Sequence, residues 1–180
     1  MEHGSYPPAF LADKNGRPVH SWRVLILPYL DQRGLFAEYR FDEPWNGPNN
    51  RKLLHRMPDV YRCPSHGHHG EAASEYFTNY VALLSPEGVF RGSVPTREIK
   101  GDSSQTLLVA DVDEQAVEWM APDDLSAEEF VSLFANSVDT EEFLFNHSRG
   151  TNVILADGSR EFLSVETPLE RIRQLISCEP

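Results

Sequence analysis

An Asp157-Gly158 pair stands between two strand-like runs, 152–156 (Asn-Val-Ile-Leu-Ala) and 160–164 (Arg-Glu-Phe-Leu-Ser), and this constrains the chain more than any other feature. An Asp-Gly pair suits a tight turn that needs positive φ, so the two runs predict a β-hairpin. Residues 78–84 and 106–112 also read as strands, rich in Val, Leu, Thr and Tyr. The four runs are expected to form one antiparallel sheet. Around them the helical signals are short. Ser21 is placed to cap a helix starting at Trp22, with Trp22, Leu25, Ile26, Tyr29 and Leu30 on one face. Pro28 falls inside that pattern and should end or kink the helix, and Leu35, Phe36 and Tyr39 continue it. Further helices are expected over 51–56, over 123–135 with Phe130, Leu133 and Phe134 as its stripe, and from Pro168 through Ile176. Helices come first, then an antiparallel sheet interrupted by one helix, which is the α+β class. The 22–39 segment is expected to pack on one face of the sheet, in a single domain spanning 1–180.

Charge narrows the function. The net charge is −12, from 16 basic and 28 acidic residues, and nucleic-acid binding draws most of its affinity from Lys and Arg. No nucleic-acid partner is therefore expected. Acidic residues concentrate in the second part: between Asp111 and Glu142 lie eleven acids and no Lys or Arg. This stretch reads first as a solvated acidic face. As a Ca²⁺ site it begins with Asp111 and Asp113, but Ala116 stands where the loop would need Gly. Met1 leads directly into Glu2-His3-Gly4 with no signal sequence, and no stretch reaches the length of a membrane helix. Taken alone, these features imply a soluble, cytoplasmic chain. Cys63 and Cys178 leave both a bridge and free thiols open. Because Cys178 lies two residues from the C-terminus, where chains fray, stability is not expected to depend on bridging them.

The motifs of common enzymes are missing. There is no G-x-S-x-G elbow, no H-E-x-x-H, no Walker loop and no Rossmann glycine fingerprint. Ser, His and Asp are abundant, so a hydrolase triad assembled in space is the third reading, behind a structural head and a binding module. Cys63, His66, His68 and His69 offer thiolate and imidazole donors within seven residues, but their spacing matches no zinc finger and their loop is small and polar. No stoichiometric Zn²⁺ is expected at those four, and no cofactor. His147 stands apart from them, with nine residues between it and Asp157.

That string (His147, nine residues, then Asp157-Gly158-Ser159) resembles the C-terminal signature of prepilin-processing-associated proteins abundant in planctomycetes. Other pieces agree in order: Tyr6-Pro7-Pro8-Ala9, Ser21-Trp22-Arg23, Pro44-Trp45-Asn46, Tyr61-Arg62-Cys63-Pro64-Ser65, Thr78-Asn79-Tyr80-Val81 and Trp119-Met120-Ala121-Pro122. The resembled family is a domain of unknown function once labelled an extracellular solute-binding family.

The resemblance implies a pilin- or pseudopilin-like globular head, non-enzymatic and extracytoplasmic. Its partners would be other pseudopilin-like subunits or cell-envelope proteins. Family members begin with an apolar anchoring helix, absent from this chain, through which alone a membrane would be engaged. A module binding a glycan, peptide or metal ion is the alternative. The chain departs from the family at two loops. The usual His-Pro-Gly-Gly is His147-Ser148-Arg149-Gly150, and the usual Asp-Gly-Thr-Ser-Asn-Thr is Gly101-Asp102-Ser103-Ser104-Gln105-Thr106. His147 and Asp157 are expected to play separate structural parts, His147 fixing the incoming loop to the sheet and Asp157 fixing the turn. Loss of the His147 side chain should then cost about 1 kcal/mol, the scale of one hydrogen bond.

Overall fold

The computed structural model describes residues 4–64, 75–112, 117–137, 147 and 149–177. Strands β1 (Phe10–Ala12) and β2 (Pro18–Ser21) form a small antiparallel ribbon near the N-terminus. Two short strands, β3 (Phe77–Thr78) and β6 (Val117–Glu118), form another. The main sheet has five strands in the order β7-β4-β5-β8-β9: β7 (Leu125–Ser126), β4 (Tyr80–Leu84), β5 (Leu107–Asp111), β8 (Gly150–Leu155) and β9 (Arg160–Ser164). β4, β5, β8 and β9 pair antiparallel, as the sequence predicts, whereas β7 joins β4 in parallel. With its helices the chain is α+β.

The hairpin forms for the expected reason. Gly158 has φ 87°, in the region where a side chain is unfavourable. The Asp157 carboxylate accepts the Ser159 amide at 2.8 Å and so braces the turn. Along β8, Thr151, Val153 and Leu155 are buried while Asn152 and Ile154 are exposed, the alternation of a strand with one covered face.

Helices α3 (Ala127–Ser137) and α4 (Leu169–Ile176) cover that face. Phe130 and Phe134 meet edge to face at 5.2 Å and pack with Ile172, Leu175 and Ile176 onto Val81, Leu83, Val153 and Leu163. α3 starts four residues later than the sequence suggests. Ser126 and Glu129 form a reciprocal cap, the Glu129 amide donating to Ser126 Oγ (3.2 Å) and the Ser126 amide to Glu129 Oε2 (2.9 Å). This frees Leu125 to extend the sheet and Asp124 to turn inward.

The 22–39 segment breaks into three pieces: α1 (Trp22–Leu25), a 3₁₀ turn at Leu27–Tyr29 containing Pro28, and α2 (Arg33–Glu38). It does not lie as a layer on the sheet. Trp22 reaches the sheet face opposite α3 and α4, packing with Ala82, Phe90 and Val109. Val24, Leu27 and Leu35 build a second core with Leu53, Leu54, Tyr61, Trp119 and Met120. The expected helix at 51–56 is a 3₁₀ helix, Asn50–Arg56. The expected strand 78–84 is interrupted at Asn79, between β3 and β4. No helix among the described residues is long and apolar enough to cross a membrane.

Buried polar contacts brace the second core, one of them reaching the sheet. Arg23 and Asp124 form an ion pair at 2.8 Å with side-chain exposures of 0% and 2%. His20 is buried beside Tyr39, its Nδ1 2.8 Å from the tyrosine hydroxyl. Burial pulls the His20 pKa below its ordinary 6.5, so the folded state binds its proton more weakly than the unfolded chain. This contribution to stability is full above pH 6.5 and fades as the pH falls through 6.5 toward the lowered folded value. A His20→Gln variant should therefore lose less stability than the parent between neutral and mildly acid pH, read by urea titration at each pH. Parallel curves for the two proteins would contradict this.

Candidate functional site

Three side chains from distant segments converge beside the sheet. Asp111, the last residue of β5, is 1% exposed. Cys63 is buried just beyond the 3₁₀ turn Asp59–Tyr61, which is held by the Tyr61 hydroxyl donating to Arg23 O at 2.6 Å. His147 lies three residues before β8 proper, where its carbonyl accepts the Gly150 amide at 3.1 Å. His147 Nε2 is 3.2 Å from Asp111 Oδ2 and 3.8 Å from Cys63 Sγ, and the three donor atoms lie within 4.8 Å of one another. Thr151 Oγ1 donates to Asp111 O and fixes the end of β5 against β8. Tyr80, on β4, is hydrogen-bonded to Cys63, and its hydroxyl is pushed well above the usual phenol range, by burial first and then by Asp111 and Cys63.

The cluster opens into a cavity of about 610 Å³ on the sheet face opposite α3 and α4. Tyr6, Trp22, Ile26, Val60, Leu108 and Ile154 contribute apolar walls, and Asp111, His147 and Arg160 are its acidic and basic side chains. Val60 and Ile154, at its walls, are 55% and 40% exposed.

Of the residues singled out in the sequence, the structure joins Cys63 to His147. Asp157 and Gly158 sit at the opposite end of β8, in the hairpin turn, and Asp157 is held below the usual carboxylate range chiefly by the Ser159 hydroxyl and amide. His66, His68, His69 and Cys178 lie outside the described residues. Tyr80 carries no site signal in the sequence, and Asp111 reads there only as the start of an acidic run whose Ca²⁺-loop pattern fails at Ala116; 36 positions separate it from His147.

The loop holding His147 is conformationally demanding. Arg149 has φ 62°, where the resembled pattern has glycine. Its guanidinium reaches the exposed Glu166 carboxylate at 2.6 Å, a pair worth at most about 1 kcal/mol in solvent. Arg149→Gly should relieve about 1–2 kcal/mol of backbone strain. It should lose a similar amount through that pair and the freer unfolded chain, leaving stability within about 1 kcal/mol of the parent. Arg149→Val, β-branched at the same φ, should be the less stable of the two in thermal melts.

A family model described as "Protein of unknown function (DUF1559)" matches residues 1–93, which include Trp22, Arg23, Cys63 and β4. Comparison with curated proteins and with solved structures found no match.

Proposed function

We propose, for a chain that belongs to the DUF1559 family of proteins of unknown function, a non-enzymatic role as the extracytoplasmic head of a pseudopilin-like protein. Its work on this reading is structural: it presents a folded head to other pseudopilin-like subunits or cell-envelope proteins. The observation that carries the reading is the uneven covering of the sheet. α3 and α4 bury one face, while the other keeps an apolar trough walled by Ile26, Val60, Leu108 and Ile154. An apolar helix of the kind with which the resembled proteins begin would find a complementary surface there. The ordered series of resembling segments, from Tyr6-Pro7 to Asp157-Gly158, supports the same reading.

The test is made on the complete gene product in its own cells. Cell fractionation with protease added to intact spheroplasts should find the head membrane-attached and digestible from outside. A protease-protected, freely soluble protein would refute the reading.

A binding module is the second reading, and the placing of Cys63, Asp111 and His147 at the cavity favours it. At this cluster the geometry does not suit a hydrolase relay. A nucleophile–His–acid relay uses opposite nitrogens of the ring, whereas here thiol and carboxylate both face Nε2.

A further inference from the structure

The geometry points to a divalent transition-metal site of the zinc class formed by Cys63 Sγ, Asp111 Oδ2 and His147 Nε2, with its remaining coordination position open to the cavity. Ligands bonded to tetrahedral zinc at about 2.0–2.3 Å stand about 3.3–3.6 Å apart. The observed separations of 3.2 Å (His147 to Asp111) and 3.8 Å (Cys63 to His147) bracket that range. The third, Cys63 to Asp111, is within 4.8 Å, and a bound ion would draw these two donors closer. One ring nitrogen facing both a sulfur and a carboxylate oxygen matches the arrangement a shared cation would impose. A single nitrogen offers either one proton or one lone pair, whereas a cation bonds all three donors at once.

The donor chemistry selects the ion. Thiolate with imidazole and one carboxylate suits Zn²⁺, or Co²⁺ in its place, and excludes Ca²⁺ and Mg²⁺, which take oxygen ligands. The surroundings are those of a site held in shape. Asp111 and Cys63 are buried, the His147 side chain is 20% exposed, and Tyr80 is bonded to Cys63 as an outer partner would be. Thr151 and the Gly150 amide hold the two strand ends that carry Asp111 and His147. This donor set shares only Cys63 with the Cys63, His66, His68 and His69 group of the sequence, where no zinc was expected. Three protein ligands with one open position are the pattern of zinc sites that accept a further molecule. An oxygen, nitrogen or sulfur donor at the end of an apolar ligand in the trough would complete it. The site does not depend on the pseudopilin reading.

The test uses the full chain, stripped with a chelator and titrated with Co²⁺ and then Zn²⁺. The expected result is one Co²⁺ per chain with a thiolate charge-transfer band and tetrahedral d–d bands, all displaced by Zn²⁺. Cys63→Ser should abolish the charge-transfer band, and His147→Gln and Asp111→Asn should each weaken binding by about 100-fold or more. No saturable binding, or stoichiometric binding with affinity unchanged in Cys63→Ser, overturns the proposal. A second readout needs no variant. Zn²⁺ should slow alkylation at Cys63, followed by mass spectrometry in the unmutated protein, by about tenfold or more because the metal-bound sulfur is no longer a free nucleophile. An unchanged rate there overturns it as well.

Discussion

Replacing Arg23 with methionine should destabilise the protein by about 3–5 kcal/mol, the scale of breaking a buried pair from one side. Arg23 is fully buried, and its Nη2 serves both Asp124 Oδ1 at 2.8 Å and Tyr80 O at 2.7 Å. Asp124 Oδ1 also accepts the Ala82 amide (2.8 Å) and Trp22 Nε1 (3.1 Å), so one carboxylate oxygen ties α1, β4 and the start of β7 together. Asp124 Oδ2 is buried with no hydrogen-bond partner among the described residues. Burial therefore pushes the Asp124 carboxyl upward against the pull of Arg23 and the donors on Oδ1. Removing Arg23 leaves that burial uncompensated.

The double variant Arg23→Met/Asp124→Asn separates a broken pair from lost packing, because Asn keeps an oxygen for the Ala82 amide and Trp22 Nε1. When both charges leave together, no unpaired charge remains buried. The double variant should recover more than half of the single-variant loss in urea unfolding, with an unchanged slope against denaturant. Additive losses would mean that Arg23 acts through its packing on Trp22, whose ring centroid is 4.8 Å from the guanidinium carbon.

Neither partner of this pair was legible in the sequence. Asp123-Asp124-Leu125 looks like the acidic first turn of a helix, and that reading sets the helix too early. A local signal against it was present, because Ser126 and Glu129 have capping-box spacing. The hairpin, β4, β5 and α4 were legible because period and turn chemistry are local properties. The parallel strand β7 is two residues long and carries no period of its own. The break of the 22–39 segment was visible at Pro28, but its packing was not: helical spacing marks an apolar face and does not say which of two cores receives it. The cluster is the extreme case. Cys63 and His147 each drew notice for separate reasons, and they stand 84 positions apart. The pairing of β5 with β8 brings Asp111 beside the start of β8, and the bond from the Tyr61 hydroxyl to Arg23 O holds the turn that delivers Cys63 to them; neither contact is local in the sequence.

Gly150→Ala should cost about 3 kcal/mol or more, beyond ordinary overpacking, because one of the two obstacles is backbone. Gly150 opens β8 opposite Ser164, and its neighbour Thr151 faces Leu163. A methyl group there would meet the Leu163 carbonyl oxygen inside van der Waals distance, and the Phe162 ring at 2.6 Å. The ring belongs to an exposed side chain and can rotate away, whereas the carbonyl belongs to the ladder. To make room, β9 must move off β8 at the end that holds His147. Truncating the ring in Gly150→Ala/Phe162→Ala should therefore restore less than half of the loss, and amide exchange should quicken first at Thr151 and Val165, whose bonds lie at this end of the hairpin. The Asp157-Gly158 turn, at the far end of β8, should keep its protection. Full rescue by the second substitution would mean that only the ring obstructs and that the strand end is free to shift. The loop carrying His147 would then not be held to the geometry that brings its Nε2 to Asp111 and Cys63.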